Sequence, residues 1–229
     1  DLERLISKVA TARINPREVV QLKRALFALE PIQKVCQYSE NNVLKTIADQ
    51  LNPCLHIRNK IDEYLQEEPP INLAKGGVIK EGINADLDDL RNLAQSSQVH
   101  LQQILERETQ RTGIPSLKIA FNNVFGYYLE VRNTHKEKVP DDWIRKQTLV
   151  NAERYITEEL KELEAKILGA GEKITSLETQ LYNNLVQSLI DYVQPIQLNA
   201  QLIAKLDCLF SFAHVSQRQN YIKPNISQG

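Results

Sequence analysis

The sequence predicts a mainly α-helical fold, in which a helical core and two long helices carry a small antiparallel β-sheet between them. Apolar residues recur at spacings of three and four over two long stretches, 84–112 and 157–181, as on the packed face of a helix. Between these stretches apolar and polar residues alternate, which is typical of β-strands. Glycine and proline number only 8 and 9 among 229 residues, which favours helix over a β-sandwich or barrel.

The composition is that of a soluble globular protein, with 42% hydrophobic and 25% charged residues. The formal net charge is -1, so any surface that binds nucleic acid must be local. Three cysteines without a CxxC motif favour a reducing compartment. No apolar run approaches the ~20 residues that cross a bilayer, so we expect a cytoplasmic protein without membrane contact. The chain begins at Asp1 and contains no methionine, so we also expect it to be cut from a longer protein.

Several short helices are predicted in the first third of the chain. Asn15 is a suitable N-cap before Pro16 at the first helical position. Pro31 is expected to end that helix, and Asn52–Pro53 to begin another. The stretch 66–77, with two prolines and two glycines, is the clearest connector.

Two long helices follow, separated by the strand-like region. The first is capped by Asn84, runs to Thr112 and stops at Gly113, which at ~1.5 Å per residue is about 43 Å. The second begins near Thr157, and its middle is weakened by Gly169 and Gly171, at ~1 kcal/mol each relative to alanine. Coiled-coil-like packing is expected along the seam residues Leu87, Leu90, Ala94, Leu101, Ile104, Leu160, Leu163, Ile167, Ala170, Ile174, Leu177 and Leu181.

The strand-like region predicts a β-hairpin formed by residues 117–122 and 127–131, with two further strands at 143–148 and 150–156. Alternation places Tyr127 in the small core and Tyr128 outside it. The predicted order of parts is therefore a helical core with the outgoing helix (1–112), a β-rich insert (113–156), the returning helix with further core helices (157–224), and a tail (225–229).

The insert has a local excess of positive charge. Residues 117–157 contain seven lysine and arginine residues against five acidic ones. Amide and hydroxyl donors lie among them, and this mixture suits phosphate oxygens. A solvated loop face is an alternative explanation of the same excess. The four histidines have no metal-ligand spacing, so no metal site is predicted.

Three strings in this insert carry a specific resemblance. They are FNNVFGYYLEV at 121–131, RKQTL at 145–149 and NAERYITEELK at 151–161. They resemble the clamp of the bacterial MutS family of DNA mismatch-repair proteins, whose pattern is close to FNxxxGYYIEV and RKQTLxNAERYITPELKxxE. Glu158 stands where the family often has proline, and either residue begins a helix well. The match extends to 14–18, 81–82 and 204–224, so it covers essentially the whole chain.

The resemblance implies a lever-and-clamp segment of a dimeric ATPase that encircles double-stranded DNA. The clamp would grip the DNA backbone and the long helices would couple it to the ATPase. The implied partners are DNA, a second MutS subunit and MutL. ATP and Mg²⁺ would serve the whole protein, whereas this segment would have no cofactor and no catalytic residue.

Two other functions stay open beside the DNA clamp. A purely structural module would transmit motion without DNA affinity of its own. An independent enzyme is disfavoured, because no nucleophile–base pair, metal cluster or phosphate loop stands out. The predicted DNA-backbone contacts are Lys118, Asn122, Asn123, Arg145, Lys146, Thr148, Asn151 and Arg154.

Among these residues Lys146 is the favoured direct contact. In a regular strand it shares a face with Thr148, whereas Arg145 shares the other face with Trp143 and Leu149. Arg154 is also a candidate for pairing with a carboxylate.

Overall fold

The computed structural model describes residues 1–224 and confirms a mainly α-helical fold with one small antiparallel sheet. The chain divides into two compact units. Unit 1 comprises Asp1–Ile83 and Thr179–Gly229, and unit 2 comprises Asn84–Glu178. These units group elements by contact, whereas the four predicted parts follow chain order, so that four-part division stays a prediction. The predicted tail 225–229 lies outside the described residues.

Unit 1 is helical. Its elements are α1 (Leu2–Ala10), α2 (Pro16–Phe27), α3 (Leu29–Gln37), α4 (Asn42–Gln50), α5 (Leu55–Tyr64), a 3-10 helix (Leu73–Lys75), the end of α7 (Glu158–Leu189), a second 3-10 helix (Ile190–Tyr192) and α8 (Val193–Arg218). Asn15 caps α2 as predicted, in a capping box with Glu18. The prediction that Pro31 ends this helix is wrong, because α2 already ends at Phe27. Pro31 lies in the first turn of α3, where its missing N–H loses no helical hydrogen bond.

Side-chain amides and hydroxyls fix the loops of unit 1 to its helices. Asn199 of α8 is fully buried, accepts a 2.8 Å hydrogen bond from the Asn52 N–H and donates a 2.6 Å bond to the Asn52 carbonyl. Tyr182 of α7 donates to the Ile14 carbonyl at 2.7 Å, and burial raises the pKa of its hydroxyl. Each bond satisfies a backbone group that lies outside the helices.

Unit 2 consists of a helix pair and a sheet. Its elements are α6 (Ala85–Thr112), β1 (Lys118–Asn122), β2 (Gly126–Arg132), a 3-10 helix (Asn133–Lys138), β3 (Ile144–Thr148), β4 (Ala152–Ile156) and α7 as far as Glu178. The sheet order is β1-β2-β4-β3, and every pairing is antiparallel. The predicted helix ends are confirmed. Asn84 accepts a hydrogen bond from the Leu87 N–H, Gly113 adopts a left-handed conformation, and the Thr157 hydroxyl accepts from the Leu160 N–H.

Opposite charges along the helix pair establish that α6 and α7 run antiparallel. Arg107 pairs with Glu159 near the sheet, and Arg91 pairs with the buried Glu178 at 2.6 Å far from it. His100 lies 3.5 Å from Glu159. These contacts confirm an out-and-back arrangement of the two helices.

The core of unit 2 is concentrated under the sheet. Its buried members are Leu101, Ile104, Ile114, Leu117, Leu129, Val131, Trp143, Tyr155, Leu160 and Leu163. In the middle of the helix pair the buried seam positions are small, namely Ser97 and Ala170. Several predicted seam residues are only half-buried, including Leu90, Ile167, Ile174 and Leu177. The seam is therefore deeply packed beside the sheet and thinly packed in the middle, and it is deeply packed again at Leu87, near the start of α6.

Gly126 joins this sheet to α7. Its φ of 77° is left-handed, and a Cβ at this position would overlap the Glu164 carboxylate. Glu164 accepts a 3.0 Å hydrogen bond from the Tyr127 N–H, so the helix closes the open end of β2. Glycine is favoured here chiefly by the left-handed backbone conformation, and a Cβ would also force the Glu164 side chain to move.

Candidate nucleic-acid interface

The two faces of the sheet have different surroundings. Leu129, Val131 and Tyr155 point to the helix pair and form its core. On the opposite, outer face, four residues that lie side by side across the strands form a row, which we call the outer row. Its members are Lys118, Glu130, Arg154 and Gln147.

In the outer row one carboxylate lies between two cations, so the row is linked by ion pairs and keeps a net positive charge. Glu130 lies 2.9 Å from the Lys118 ammonium and 3.2 Å from the Arg154 guanidinium. Arg154 also donates a 2.8 Å hydrogen bond to the Gln147 side chain. The hydrogen bond from Lys118, opposed by partial burial and reinforced by Arg154, holds the pKa of Glu130 below its usual value. Two of the predicted DNA contacts, Lys118 and Arg154, are therefore committed to one carboxylate.

Tyr128 belongs to the same outer face and lies outside the small core, as alternation predicts, and it is packed there. It is only 5% exposed. The guanidinium of Arg154 covers its ring at 4.4 Å from the centroid, a cation–π arrangement. Tyr127 packs against the core on the helix side, as expected.

A β-bulge changes the expected geometry of β3. Arg145 pairs with Tyr155 and Gln147 with Arg154, so Lys146 is the extra residue between them. Thr148 pairs with Glu153 and consequently shares its face with Arg145. The expectation that Lys146 and Thr148 share a face is wrong, because the bulge shifts the alternation by one residue.

Arg145 is also paired. Its guanidinium lies 3.4 Å from the largely buried Glu153 carboxylate, which accepts a hydrogen bond from the Tyr155 hydroxyl. Burial, with the nearby Glu153 charge, raises the pKa of Tyr155 to about 12. Glu153 therefore binds both a phenol and an arginine at the edge of the core.

The predicted amide donors lie at opposite ends of the sheet. Asn122 ends β1 and Asn123 lies in the β1–β2 turn, and the Asn122 side-chain oxygen accepts a 2.7 Å hydrogen bond from the Val124 N–H. Asn151 belongs to the β3–β4 turn, opposite the end of β2. The structure therefore does not gather the eight predicted residues into one site.

The β3–β4 end of the sheet carries exposed cations that lack carboxylate partners. We use this name for the turn 149–151 with Arg132 and the 3-10 helix Asn133–Lys138. Asn133 ties these parts together, because its N–H donates to the Asn151 carbonyl at 3.1 Å and its side chain donates to the Val150 carbonyl at 2.9 Å. Arg132 and Lys136 are exposed, as is Lys146 on the adjoining strand β3. Within residues 1–224 none of these three cations has an acidic group within ion-pair distance.

Sequence reasoning missed Arg132 and Lys136. Arg132 ends a strand and Lys136 lies in the segment after it, a position that can be read from the sequence. Their lack of a partner cannot be read there, since it depends on which strands are neighbours. Glu137 is also exposed at this end and is its one acidic residue. Lys138 donates to the Gly113 carbonyl at 3.2 Å and is already engaged.

Among the described residues, no three His, Cys, Asp or Glu side chains lie together in a way that could hold a metal ion. Within the same part of the chain, no helix is both long enough and apolar enough to cross a membrane.

The fold and the interface together define a class of protein module: an antiparallel helix pair that presents a small four-stranded sheet with an unpaired cationic end. Residues 82–173 match the model of MutS family domain IV. The chain is 59% identical over 226 residues to the DNA mismatch repair protein MutS of Bacteroides fragilis (strain YCH46), covering 99% of this chain and 26% of that protein. It is 60% identical over 224 residues to the protein of the same name from Phocaeicola vulgatus, covering 98% and 26%.

A third relative, the DNA mismatch repair protein MutS of Porphyromonas gingivalis, is 55% identical over 228 residues, covering 100% of this chain and 26% of that protein. The chain belongs to the MutS family. It spans about a quarter, 26%, of the length of the curated relatives that it matches.

Proposed function

We propose that this segment contacts the backbone of duplex DNA without sequence specificity, through the β3–β4 end of its sheet. The observation that carries the proposal is the contrast between paired and unpaired cations. Lys118, Arg145 and Arg154 each lie beside a carboxylate, whereas Arg132, Lys136 and Lys146 do not.

Phosphate oxygens attract cations whose charge is not already neutralised. A paired lysine or arginine must share its charge between its carboxylate and the phosphate, and an unpaired one does not. Thr148 and Asn151 are exposed near the same end and can donate hydrogen bonds to phosphate or sugar. No base-reading element is required, so binding would depend on salt and little on sequence.

The whole protein is part of the same proposal. The relatives are named DNA mismatch repair proteins, and we infer that the longer protein acts in that repair. We infer further that α6 and α7 couple the sheet to an ATPase elsewhere in the chain, which would use ATP and Mg²⁺. A second subunit, MutL and a bacterial cytoplasmic location complete the inference from the family.

The test compares two triple variants of the full-length protein that remove the same amount of charge. One changes Arg132, Lys136 and Lys146 to glutamine, and the control changes the paired Lys118, Arg145 and Arg154 to glutamine. Duplex affinity is measured across a salt series. Each phosphate contact contributes a slope of roughly 0.9, so we expect the first variant to flatten the dependence by roughly two to three units and the control by less than about one.

Melting curves of both variants verify that they are folded. An equal loss in both would show that total charge, not the β3–β4 end, governs binding. No loss in either would favour the purely structural module, in which the helices transmit motion and the sheet has no DNA affinity.

A further inference from the structure

Unit 1 contains an open apolar slot between α8 on one side and α3 with the start of α4 on the other. Its volume is about 880 Å³. The walls are almost entirely apolar, and include Ile32, Val35, Val43, Leu206, Leu209 and Phe210. Several of these side chains are strongly exposed, with Val35 at 73% and Phe210 at 72%. Exposed apolar surface that is continuous over this extent marks an interaction site more often than ordinary protein surface.

The slot continues the buried face of α8. Ile196, Asn199 and Leu202 are buried near the start of this helix. Helical spacing carries the same face on to Leu206, Leu209 and Ala213, which line the slot instead of a core. The same side of α8 is therefore packed against other helices in its first half and open to solvent in its second half, although it remains mainly apolar.

The other side of the same stretch is apolar as well. Cys208, Phe212 and Val215 lie away from the slot by helical spacing, and all three are exposed. A helix that is apolar around most of its circumference is typical of the interior of a larger helical body. An interface between two copies of one protein would need only one apolar side.

We propose that the slot receives an amphipathic α-helix from a part of the longer polypeptide outside these 229 residues. The relatives of the chain are about four times as long, since it spans 26% of each, so enough polypeptide exists to supply the helix. The walls of the slot are themselves helices. A further helix between them would pack as a helix in a groove, with its own apolar anchor residues at positions i, i+3 or i+4, and i+7.

The polar groups of the slot define the occupant further. Asp207 and Asn41 are among its lining residues and are the polar exceptions. The incoming helix is expected to place a lysine, an arginine or a side-chain amide opposite them, because a carboxylate covered without a partner is costly. This contact lies wholly in unit 1 and does not depend on the proposed DNA function.

Thiol labelling in the full-length protein tests the proposal. Buried Cys36 and Cys54 are first changed to alanine and exposed Cys208 to serine, together with any cysteine elsewhere in the full-length protein. Single cysteines are then introduced as Val35→Cys and Phe210→Cys in the slot, with Ile71→Cys as the reference. Ile71 is an exposed apolar residue of unit 1 that does not line the slot. In the full-length protein we expect both slot cysteines to react with a maleimide at least about tenfold more slowly than the reference. In the 229-residue chain all three should react at similar rates.

Two results would overturn the inference. Slot cysteines that react as fast as the reference in the full-length protein would show that no segment covers the slot. Protection that already occurs in the 229-residue chain, and increases with protein concentration, would identify a second copy as the occupant. Since DNA is absent from the assay, its result is independent of the salt-series test of DNA binding.

Discussion

The helix pair of unit 2 is packed very differently beside the sheet and in its middle. Beside the sheet, Ile104 and Leu160 are almost fully buried against Leu129 and Trp143. In the middle of the pair the buried seam residues are Ser97 and Ala170, and an open cleft of about 520 Å³ lies alongside. The comparison teaches that one continuous helical pattern can support a rigid end and a thinly packed middle. A module that positions a sheet on DNA and also transmits movement would need both properties.

The largest effect is expected at the sheet end, from Trp143→Ala. Trp143 is buried and packs against Tyr155 with ring centroids 5.9 Å apart. Removing the indole leaves a cavity that the sheet and helices cannot fill, so the free energy of unfolding should fall by ~3–5 kcal/mol. Denaturant unfolding followed by circular dichroism measures the change. A loss below about 1 kcal/mol would mean that this core is not the stable end.

The second prediction compares the two regions directly, through Leu163→Ala and Ile174→Ala. Leu163 is buried beside the sheet, whereas Ile174 is half-buried beyond the middle of the pair. We expect a loss of ~2–4 kcal/mol for Leu163 and of about 1–2 kcal/mol for Ile174. Trp143 is the sole tryptophan of the chain, so its fluorescence reports on unit 2. Equal losses would remove the proposed gradient of packing.

The third prediction concerns the glycines of the middle region. An added Cβ at Gly169 or Gly171 would meet nothing within 4 Å, and neither glycine has a left-handed φ. Gly169→Ala and Gly171→Ala should therefore each stabilise α7 by ~1 kcal/mol. Hydrogen exchange of the backbone amides of residues 166–174 should slow in both variants. Unchanged or faster exchange would show that the middle of α7 is not limited by its glycines.

The smallest effect is expected from pH, at the outer row. The Glu130 carboxyl has a folded-state pKa below its usual 4.5, so its ion pairs contribute stability that is present above pH 4.5 and lost as pH falls through the lowered value. Unfolding free energies of the wild type and Glu130→Gln should thus differ at pH 6 and converge toward pH 3. A constant difference over this range would mean that charge at Glu130 does not contribute.

Much of the fold follows from the sequence alone. Asn84, Gly113 and Thr157 marked helix ends correctly, because caps are local interactions between neighbouring residues. The apolar pattern did not show where α2, the helix that contains Val19, ends. Pro31 can either stop a helix or occupy the first turn of the next one. The seam was located correctly, but its depth was not, because half-buried and buried apolar residues have the same spacing.

The candidate site was predicted less completely. Counting cations located the positive insert, and three of the eight predicted residues, Lys146, Thr148 and Asn151, lie at or near the end that we propose to contact DNA. Counting could not show that Glu130 engages both Lys118 and Arg154, since these residues meet only after three strands pair.

The sequence by itself determined the helical class, the positions of the strands and the family strings, because these depend on local spacing and residue identity. Only the tertiary structure decided which cations are neutralised. The bulge at Lys146 and the strand order β1-β2-β4-β3 bring residues distant in the chain side by side. An ion pair forms over a few ångströms in space, and spacing along the chain does not specify that distance until the sheet has formed.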